Sequence, residues 1–262
     1  MRDRLPFDCK PFHTMHFSTS ICSHTGGRTK NQDTADHFSD DELEGWVLAD
    51  GLGGYRGGGL AASLATTAML ETCQEEREVS PLTIRTASEV AQDTLRERQQ
   101  KHFEYCQMKT TFVLLLASTT EERALWGHVG DSRLYHFREG AVVAQTTDHS
   151  AAQAMVEAGD LEPGAIRNHQ DRHSLTRALG DVSHSEPDIE QTPVMLAPGD
   201  AFLLCSDGFW EAVTEEEMIA LLGEAETPED WLDEMTAYVE ERATPHQDNY
   251  TAVGVFVHEG TS

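Results

Sequence analysis

Five aspartates stand beside apolar runs or polar motifs, where they could bind divalent cations together. Asp50 ends the run WVLAD, Asp207 ends FLLCSD, and Asp131 ends LWGHVGD. Asp33 ends RTKNQD, and Asp248 precedes the run YTAVGVFV. Carboxylates gathered in one cleft stay ionised only beside cations, and oxygen ligands select hard ions such as Mg²⁺ and Mn²⁺. These positions indicate a divalent-metal site, although a single Asp-Gly pair is more often a simple turn.

The glycine-rich stretch DGLGGYRGGGLAA, residues 50–62, suggests a loop around a nucleotide phosphate. It lacks the G-K-[ST] ending of a P-loop, and its single match to a dinucleotide pattern begins at Gly57, after the turn. The glycines are better explained as allowing the backbone to approach a metal ion, with Asp50 as the working residue. Nucleotide binding stays open as an alternative.

Composition excludes several classes of protein. The 262 residues include 46 acidic and 19 basic ones, giving a net charge of −27, so nucleic acid is not expected as a partner. A hydrophobic content of 39% allows a real core. No apolar run approaches the ~20 residues of a membrane span, and the N-terminus lacks the apolar stretch of a secretory signal. We therefore expect no membrane association and a cytoplasmic location.

The five cysteines are widely spaced and include no C-x-x-C pair, so neither a disulfide framework nor a zinc site is indicated. Cys205 stands beside Ser206 and Asp207, but the C-x5-R arrangement of cysteine phosphatases is missing. A small reduced residue in a buried strand is the better interpretation of Cys205.

The elements that would position the aspartates are strands grouped in runs and interrupted by helices. Alternation and β-branched content predict strands over 16–22, 44–49, 109–118, 123–130, 132–138, 141–146, 200–206 and 251–258. Helices are predicted over 59–76, 84–103, 150–159, 214–224 and 228–243, with Thr214 as an N-cap. Because strands and helices do not alternate regularly, the fold class is α+β. Residues 1–15 are predicted to be an irregular N-terminal leader and 16–262 a single domain.

Seven short motifs follow one another in an order that resembles a known family. They are RTKNQD (28–33), ADGLGG (49–54), GDSR (130–133), TTDHS (146–150), LTRALGD (175–181), CSDGFWEAV (205–213) and DNYT (248–251). The chain is similar over residues 16–258 to the metal-dependent Ser/Thr protein phosphatases, the protein phosphatase 2C-like or PPM family, and most of all to its bacterial members. The resemblance implies a four-layer α-β-β-α sandwich, with two antiparallel sheets flanked by helix pairs.

The family's roles carry over to matching positions. Asp50 is expected to bridge two Mn²⁺ or Mg²⁺ ions, while Asp33 contacts the ions directly or through another ligand. Arg28 is expected to bind the substrate phosphate, because a guanidinium offers a planar pair of donors. Asp131 resembles the ligand of a third, weaker ion in bacterial members of the family. The implied metal-binding residues are Asp33, Asp50, Gly51, Asp131, Asp207 and Asp248.

The implied reaction is hydrolysis of phosphoserine and phosphothreonine by direct attack of a water that two metal ions activate. The enzyme would oppose a Ser/Thr protein kinase, so its partners would be phosphorylated proteins, namely the substrates of a cognate kinase or the kinase itself. A monomer is expected. A metallophosphatase for small molecules and an inactive phosphoprotein-binding module remain as alternatives; the intact set of aspartates speaks against the second.

The sequence departs from the family pattern at two positions. Leu52 stands where many eukaryotic members have a histidine considered to be the general acid, and bacterial relatives also lack this histidine. Gln32 stands where many relatives have glutamate. The region 151–174, which we call the flap, varies in the family and helps to choose substrates. Its His169, Arg172 and His173 are interpreted as solvated loop residues rather than substrate contacts, and His149 as a structural hydrogen-bonding residue.

Overall fold

Two antiparallel sheets form the centre of the computed structural model, which describes residues 14–53 and 56–260. The first sheet contains β1 (Met15–His24), β6 (Arg133–Arg138), β7 (Ala141–Gln145), β10 (Ala201–Cys205) and β11 (Tyr250–Glu259), in the order β1-β11-β10-β6-β7. The second has the order β2 (Asp33–Ser39), β3 (Leu43–Asp50), β4 (Phe112–Ser118), β5 (Arg123–Val129), β8 (Asp188–Ile189). A short strand β9 (Val194–Met195) also pairs with β5.

Helices cover the outer face of each sheet. The pair α1 (Gly58–Glu76) and α2 (Pro81–Lys101) packs on the second sheet. The first sheet is covered by α5 (Glu215–Leu222) and α6 (Pro228–Arg242), and two short helices, α3 (Ala151–Ala158) and α4 (Asp207–Trp210), lie between strands in the sequence. Thr214 caps α5 through a capping box with Glu217, as its position before the acidic first turn predicts. The predicted four-layer sandwich is confirmed.

The core between the sheets explains why the central strands are apolar along their whole length. Trp46, Leu48 and Leu115 of the second sheet pack against Phe202 and Leu204 of the first, and all five are buried. The opposite faces of the same strands pack against helices. Strands covered on both faces therefore show a continuous apolar run instead of alternation.

The sequence prediction missed β2, because five of the seven residues of DTADHFS are polar and the segment has no apolar run. Asp33 therefore begins a strand rather than ending one, which corrects its place in the predicted pattern. Most of the predicted leader, residues 1–13, lies outside the described residues, and β1 begins at Met15, one residue before the predicted boundary. Among the described helices, none is long and apolar enough to cross a membrane.

A buried carboxylate lies at the beginning of β3, far along the strand from Asp50. Glu44 is 7% exposed, and burial raises the pKa of its carboxyl from the ordinary 4.5 to about 7. A carboxyl whose pKa is raised by folding contributes stability that is complete below pH 4.5 and is lost as the pH rises through 7.

We expect the Glu44→Gln variant to gain stability relative to the wild type by about 1–3 kcal/mol between pH 5 and pH 8, because its neutral amide does not ionise. Urea unfolding at the two pH values measures the difference. The matched control is Glu42→Gln, whose side chain is exposed and only two residues away. If the difference in unfolding free energy between Glu44→Gln and the wild type were the same at pH 5 and pH 8, the raised pKa of Glu44 would be contradicted.

Candidate metal centre

Two of the predicted aspartates face each other across neighbouring strands. Asp33, the first residue of β2, pairs directly with Asp50, the last residue of β3. The backbone at Asp50 is fixed from the adjacent β4 side: its carbonyl accepts hydrogen bonds from Thr110 Oγ1 at 2.8 Å and from the amide of Thr111 at 2.9 Å. The Asp50 amide donates to Thr111 Oγ1 at 3.0 Å. Both carboxylates are thus held at one end of the second sheet.

The first sheet supplies two further aspartates at the same end of the sandwich. Asp207 follows β10 and Asp248 precedes β11, its neighbour in the sheet. The two sheets are linked here by Ser206, whose Oγ donates to Asp33 Oδ2 at 2.8 Å and accepts the amide of Thr251 at 3.0 Å. Residues far apart in the sequence therefore meet because neighbouring strand ends lie at one edge.

Asp131 enters the same cluster from the turn after β5. Its backbone carbonyl accepts a hydrogen bond from the indole Nε1 of Trp210 at 2.9 Å, and Trp210 itself is buried. The next residue, Ser132, exchanges a 2.7 Å hydrogen bond with Thr111, which also binds the Asp50 backbone. The position of Asp131 is therefore set by the same polar network that holds Asp50.

The carboxyl of Asp50 lies close enough to the other four aspartates to be repelled by each of them. Burial raises the pKa of Asp50 well above its ordinary value, and repulsion from Asp33, Asp207, Asp131 and Asp248 raises it further. Burial also raises the pKa of Asp33 to about 6, and that of Asp131 well above the usual range. The cluster is stable at neutral pH only when protons or cations compensate its negative charge.

The donors in the cluster fit hard divalent cations. Oδ1 of Asp33 and Oδ1 of Asp207 are buried and have no hydrogen-bond partner among the described residues. A buried, unpartnered carboxylate oxygen is costly, and coordination of a cation removes that cost. Because the predicted ligands are all oxygen atoms, the set matches the preference of Mg²⁺ and Mn²⁺.

Gly51 is required by the close approach of helix α1. A Cβ on Gly51 would lie 2.2 Å from the carbonyl carbon of Gly58 and 2.3 Å from its oxygen. The Gly51 amide donates to the Gln32 carbonyl at 3.1 Å, and Gly51 forms an isolated bridge with Thr110. The loop is thus pressed between α1 and the neighbouring strands, which holds the Gly51 carbonyl beside Asp50.

Arg28 lies at the edge of the cluster and is half-exposed. Its Nη2 donates to Asp248 Oδ2 at 2.6 Å, and the two side chains are 51% and 37% exposed. An exposed pair of this kind contributes little to stability, so the guanidinium can exchange its partner at small cost. The structure places Arg28 where a phosphate beside Asp248 would come within its reach.

An open groove of about 530 Å³ leads from Arg28 and Asp248. Its lining includes Arg172 and His173 from the flap and Arg242 at the end of α6. The groove is open to solvent.

The sequence interpretation was wrong about two of the three flap side chains, Arg172 and His173. His173 is not simply solvated: its Nδ1 lies 3.0 Å from Oδ2 of Asp207, and this hydrogen bond raises the pKa of the imidazole. Arg172 Nε donates to Glu211 Oε1 at 2.6 Å. The sequence offered only the basic residues of the flap and the acidic residues of the segment 207–215. Such composition does not specify which side chains form ion pairs.

Three other residues form hydrogen bonds with the backbone or with side chains near the centre. The backbone amide of Gln32 donates to Asn249 Oδ1 at 2.9 Å, and the Gln32 side chain packs against Gly58. The Leu52 amide donates to the Lys109 carbonyl at 3.1 Å. His149 Nδ1 accepts the amide of Gly130 at 3.1 Å, immediately before Asp131.

The fold and the carboxylate cluster together define a metal-dependent hydrolase of the α-β-β-α sandwich type. The sequence profile described as protein phosphatase 2C matches residues 22–249, and the chain belongs to this family.

The similar proteins include bacterial phosphatases. The chain is 29% identical over 200 residues to the protein phosphatase PhpP of Streptococcus pneumoniae, covering 73% of this chain and 78% of PhpP. The crystal structure of the serine/threonine phosphatase PstP/Ppp of Mycobacterium tuberculosis is similar with a TM-score of 0.80, at 25% identity, over 94% of this chain and 99% of the other. A PstP catalytic domain in complex with two manganese ions is similar with a TM-score of 0.78, at 25% identity, over 94% and 100% of the two chains.

We expect Gly51→Ala to lower the affinity for Mn²⁺ by at least about tenfold, because a Cβ would displace the loop that presents Asp50. Isothermal titration with Mn²⁺ measures the affinity. Gly164→Ala serves as the control, since a Cβ at Gly164 meets no atom within 4 Å. Equal Mn²⁺ binding by the wild type and both variants would show that the loop does not depend on a glycine at position 51.

Proposed function

We propose that this chain is a metal-dependent protein serine/threonine phosphatase that hydrolyses phosphoserine and phosphothreonine. The observation that carries the proposal is the cluster of five aspartates around Asp50, at the end of the sandwich and next to Arg28. Membership of the protein phosphatase 2C family and similarity to bacterial Ser/Thr phosphatases support it. We further propose that one catalytic domain, residues 16–262, carries the activity.

The aspartates are proposed to hold two Mn²⁺ or Mg²⁺ ions, with Asp50 and Asp33 from one sheet and Asp207 and Asp248 from the other. The neighbour solved with two manganese ions supports this number. When bound, such ions lower the pKa of water and withdraw charge from phosphoryl oxygens. A third ion at Asp131 belongs to the same proposal.

The residues of the chain orient the substrate for direct displacement. Arg28 offers paired donors to the phosphoryl oxygens and stabilises their negative charge as the bond to the leaving oxygen breaks. The groove beside Asp248 receives the polypeptide on either side of the phosphorylated residue. Cys205 takes no part, because it is fully buried and burial raises the pKa of its thiol above the usual range.

Phosphorylated Ser/Thr proteins are the proposed partners, among them the substrates of a cognate kinase or that kinase itself. Similarity to named Ser/Thr phosphatases supports the class of substrate. The cytoplasmic location and the monomeric state stay predictions from the sequence and the family resemblance.

The proposal is tested by hydrolysis of a phosphothreonine peptide with Mn²⁺, with Mg²⁺ and with EDTA. We expect Mn²⁺-stimulated release of phosphate that EDTA abolishes. Asp207→Asn should lower kcat/KM by at least about a hundredfold without unfolding the protein, because it removes a charged ligand oxygen. Asp160→Asn, an exposed position in the flap, is the control. Absence of turnover in folded, Mn²⁺-supplied wild type would reject the function, and near-normal turnover by Asp207→Asn would reject the ligand assignment.

Arg28→Ala is expected to lower kcat/KM on the same peptide by about 10- to 100-fold, the value of one charge-assisted hydrogen bond of about 1.5–3 kcal/mol. Inhibition by inorganic phosphate should weaken in parallel, while Mn²⁺ affinity stays within about threefold. Arg85→Ala, an exposed arginine on α2, is the control. Unchanged kinetics for Arg28→Ala would mean that another group binds the phosphate.

A further inference from the structure

Three basic residues of the flap pair with three acidic residues that are spaced four apart on one short segment. The first two pairs join arginine to glutamate, and the third joins a histidine to a residue of the metal centre. The pairs are Arg167–Glu215 at 2.7 Å, Arg172–Glu211 at 2.6 Å and His173–Asp207 at 3.0 Å. The flap is therefore fastened along the segment 207–215, and its last contact reaches the cluster of aspartates.

The last contact brings a nitrogen donor to a pair of buried carboxylates. Ligand atoms of Asp131, His173 and Asp207 all lie within 4.8 Å of one another. Two ligands on opposite sides of a cation with bonds of about 2.1 Å are about 4.2 Å apart, so small shifts suffice to surround an ion. Oδ1 of Asp207 is buried and has no hydrogen-bond partner among the described residues. A coordinated cation would satisfy this oxygen.

We propose that His173 is a nitrogen ligand for a divalent cation held by Asp131 and Asp207, so that the flap completes this site. This inference rests on the proposed metal centre and adds a ligand from outside the aspartate set. The imidazole binds through the lone pair of Nδ1, with its proton on Nε2. The hydrogen bond between His173 and Asp207 is then replaced by their common coordination of the ion.

A nitrogen ligand gives the site a distinct selectivity. Imidazole favours transition metals, whereas Mg²⁺ prefers oxygen ligands and keeps several waters. The site at Asp131 should therefore prefer Mn²⁺ to Mg²⁺ more strongly than the oxygen-only ligands around Asp50 do. Occupancy should also hold the flap in its docked position, because the ion joins His173 to the core.

Pulsed electron paramagnetic resonance of the full chain with Mn²⁺ alone tests the proposal directly. Every other predicted ligand is an oxygen atom, so strong ¹⁴N coupling to Mn²⁺ can arise only from a histidine. We expect this coupling in the wild type and in His169→Ala, and its loss in His173→Ala. His169 is the matched control because it lies in the same flap but its Nδ1 accepts the amide of Asp171 at 3.2 Å. Absence of the coupling in the wild type, or its persistence in His173→Ala, would overturn the proposal.

A second variant separates coordination from a merely structural role. His173→Gln keeps a polar side chain that can hydrogen-bond to Asp207 but offers no imidazole lone pair. We expect both His173 variants to bind Mn²⁺ at least about tenfold more weakly at one site, with Mg²⁺ binding changed by less than about threefold. If His173→Gln bound Mn²⁺ as tightly as the wild type, the proposal that His173 is a ligand of the cation would be contradicted. Neither readout uses a substrate, so failure of the phosphatase assay would leave this test intact.

Discussion

Mutual repulsion among buried carboxylates is the constraint on which the rest of this structure depends. Asp50 is surrounded by four other aspartates, and burial and repulsion together hold its pKa well above the usual range. No hydrophobic packing removes such a cost; only protons or cations do. The fold must therefore hold the carboxylates together firmly enough that they cannot move apart, and leave the cluster open to ions.

The sandwich meets this requirement by placing each aspartate next to a well-packed strand. Asp50 and Asp33 are paired in register on β3 and β2, while Asp207 and Asp248 flank the neighbouring strands β10 and β11. The apolar strands are buried on both faces, so their ends have little freedom. Ser206 then joins the two sheets through Asp33. The packed core thereby fixes the positions of the aspartates relative to one another.

Local signals in the sequence, namely continuous apolar runs and the aspartates beside them, allowed the α+β class and a possible metal site to be predicted, whereas the four-layer sandwich was predicted only from the order of motifs that resembles the family. The sequence prediction failed at β2, whose seven residues owe their strand to pairing with β3 rather than to their own composition. It also failed at His173, since the contact with Asp207 spans 34 residues and depends on how the flap folds back. Contacts set by tertiary geometry between two polar segments leave no pattern in the sequence.

The charge of the groove gives a further reason for metal dependence. Its arginines are each paired with a carboxylate, and the pairs are Arg28–Asp248, Arg167–Glu215, Arg172–Glu211 and Arg242–Glu217. A groove balanced in this way, in a chain of net charge −27, offers little attraction to a dianionic phosphate. Under the proposed function, cations bound by the aspartate cluster would supply positive charge and would compete with Arg28 for Asp248, so that the guanidinium could bind the phosphate. Under the proposed function, the same ions therefore serve substrate binding as well as the chemical step.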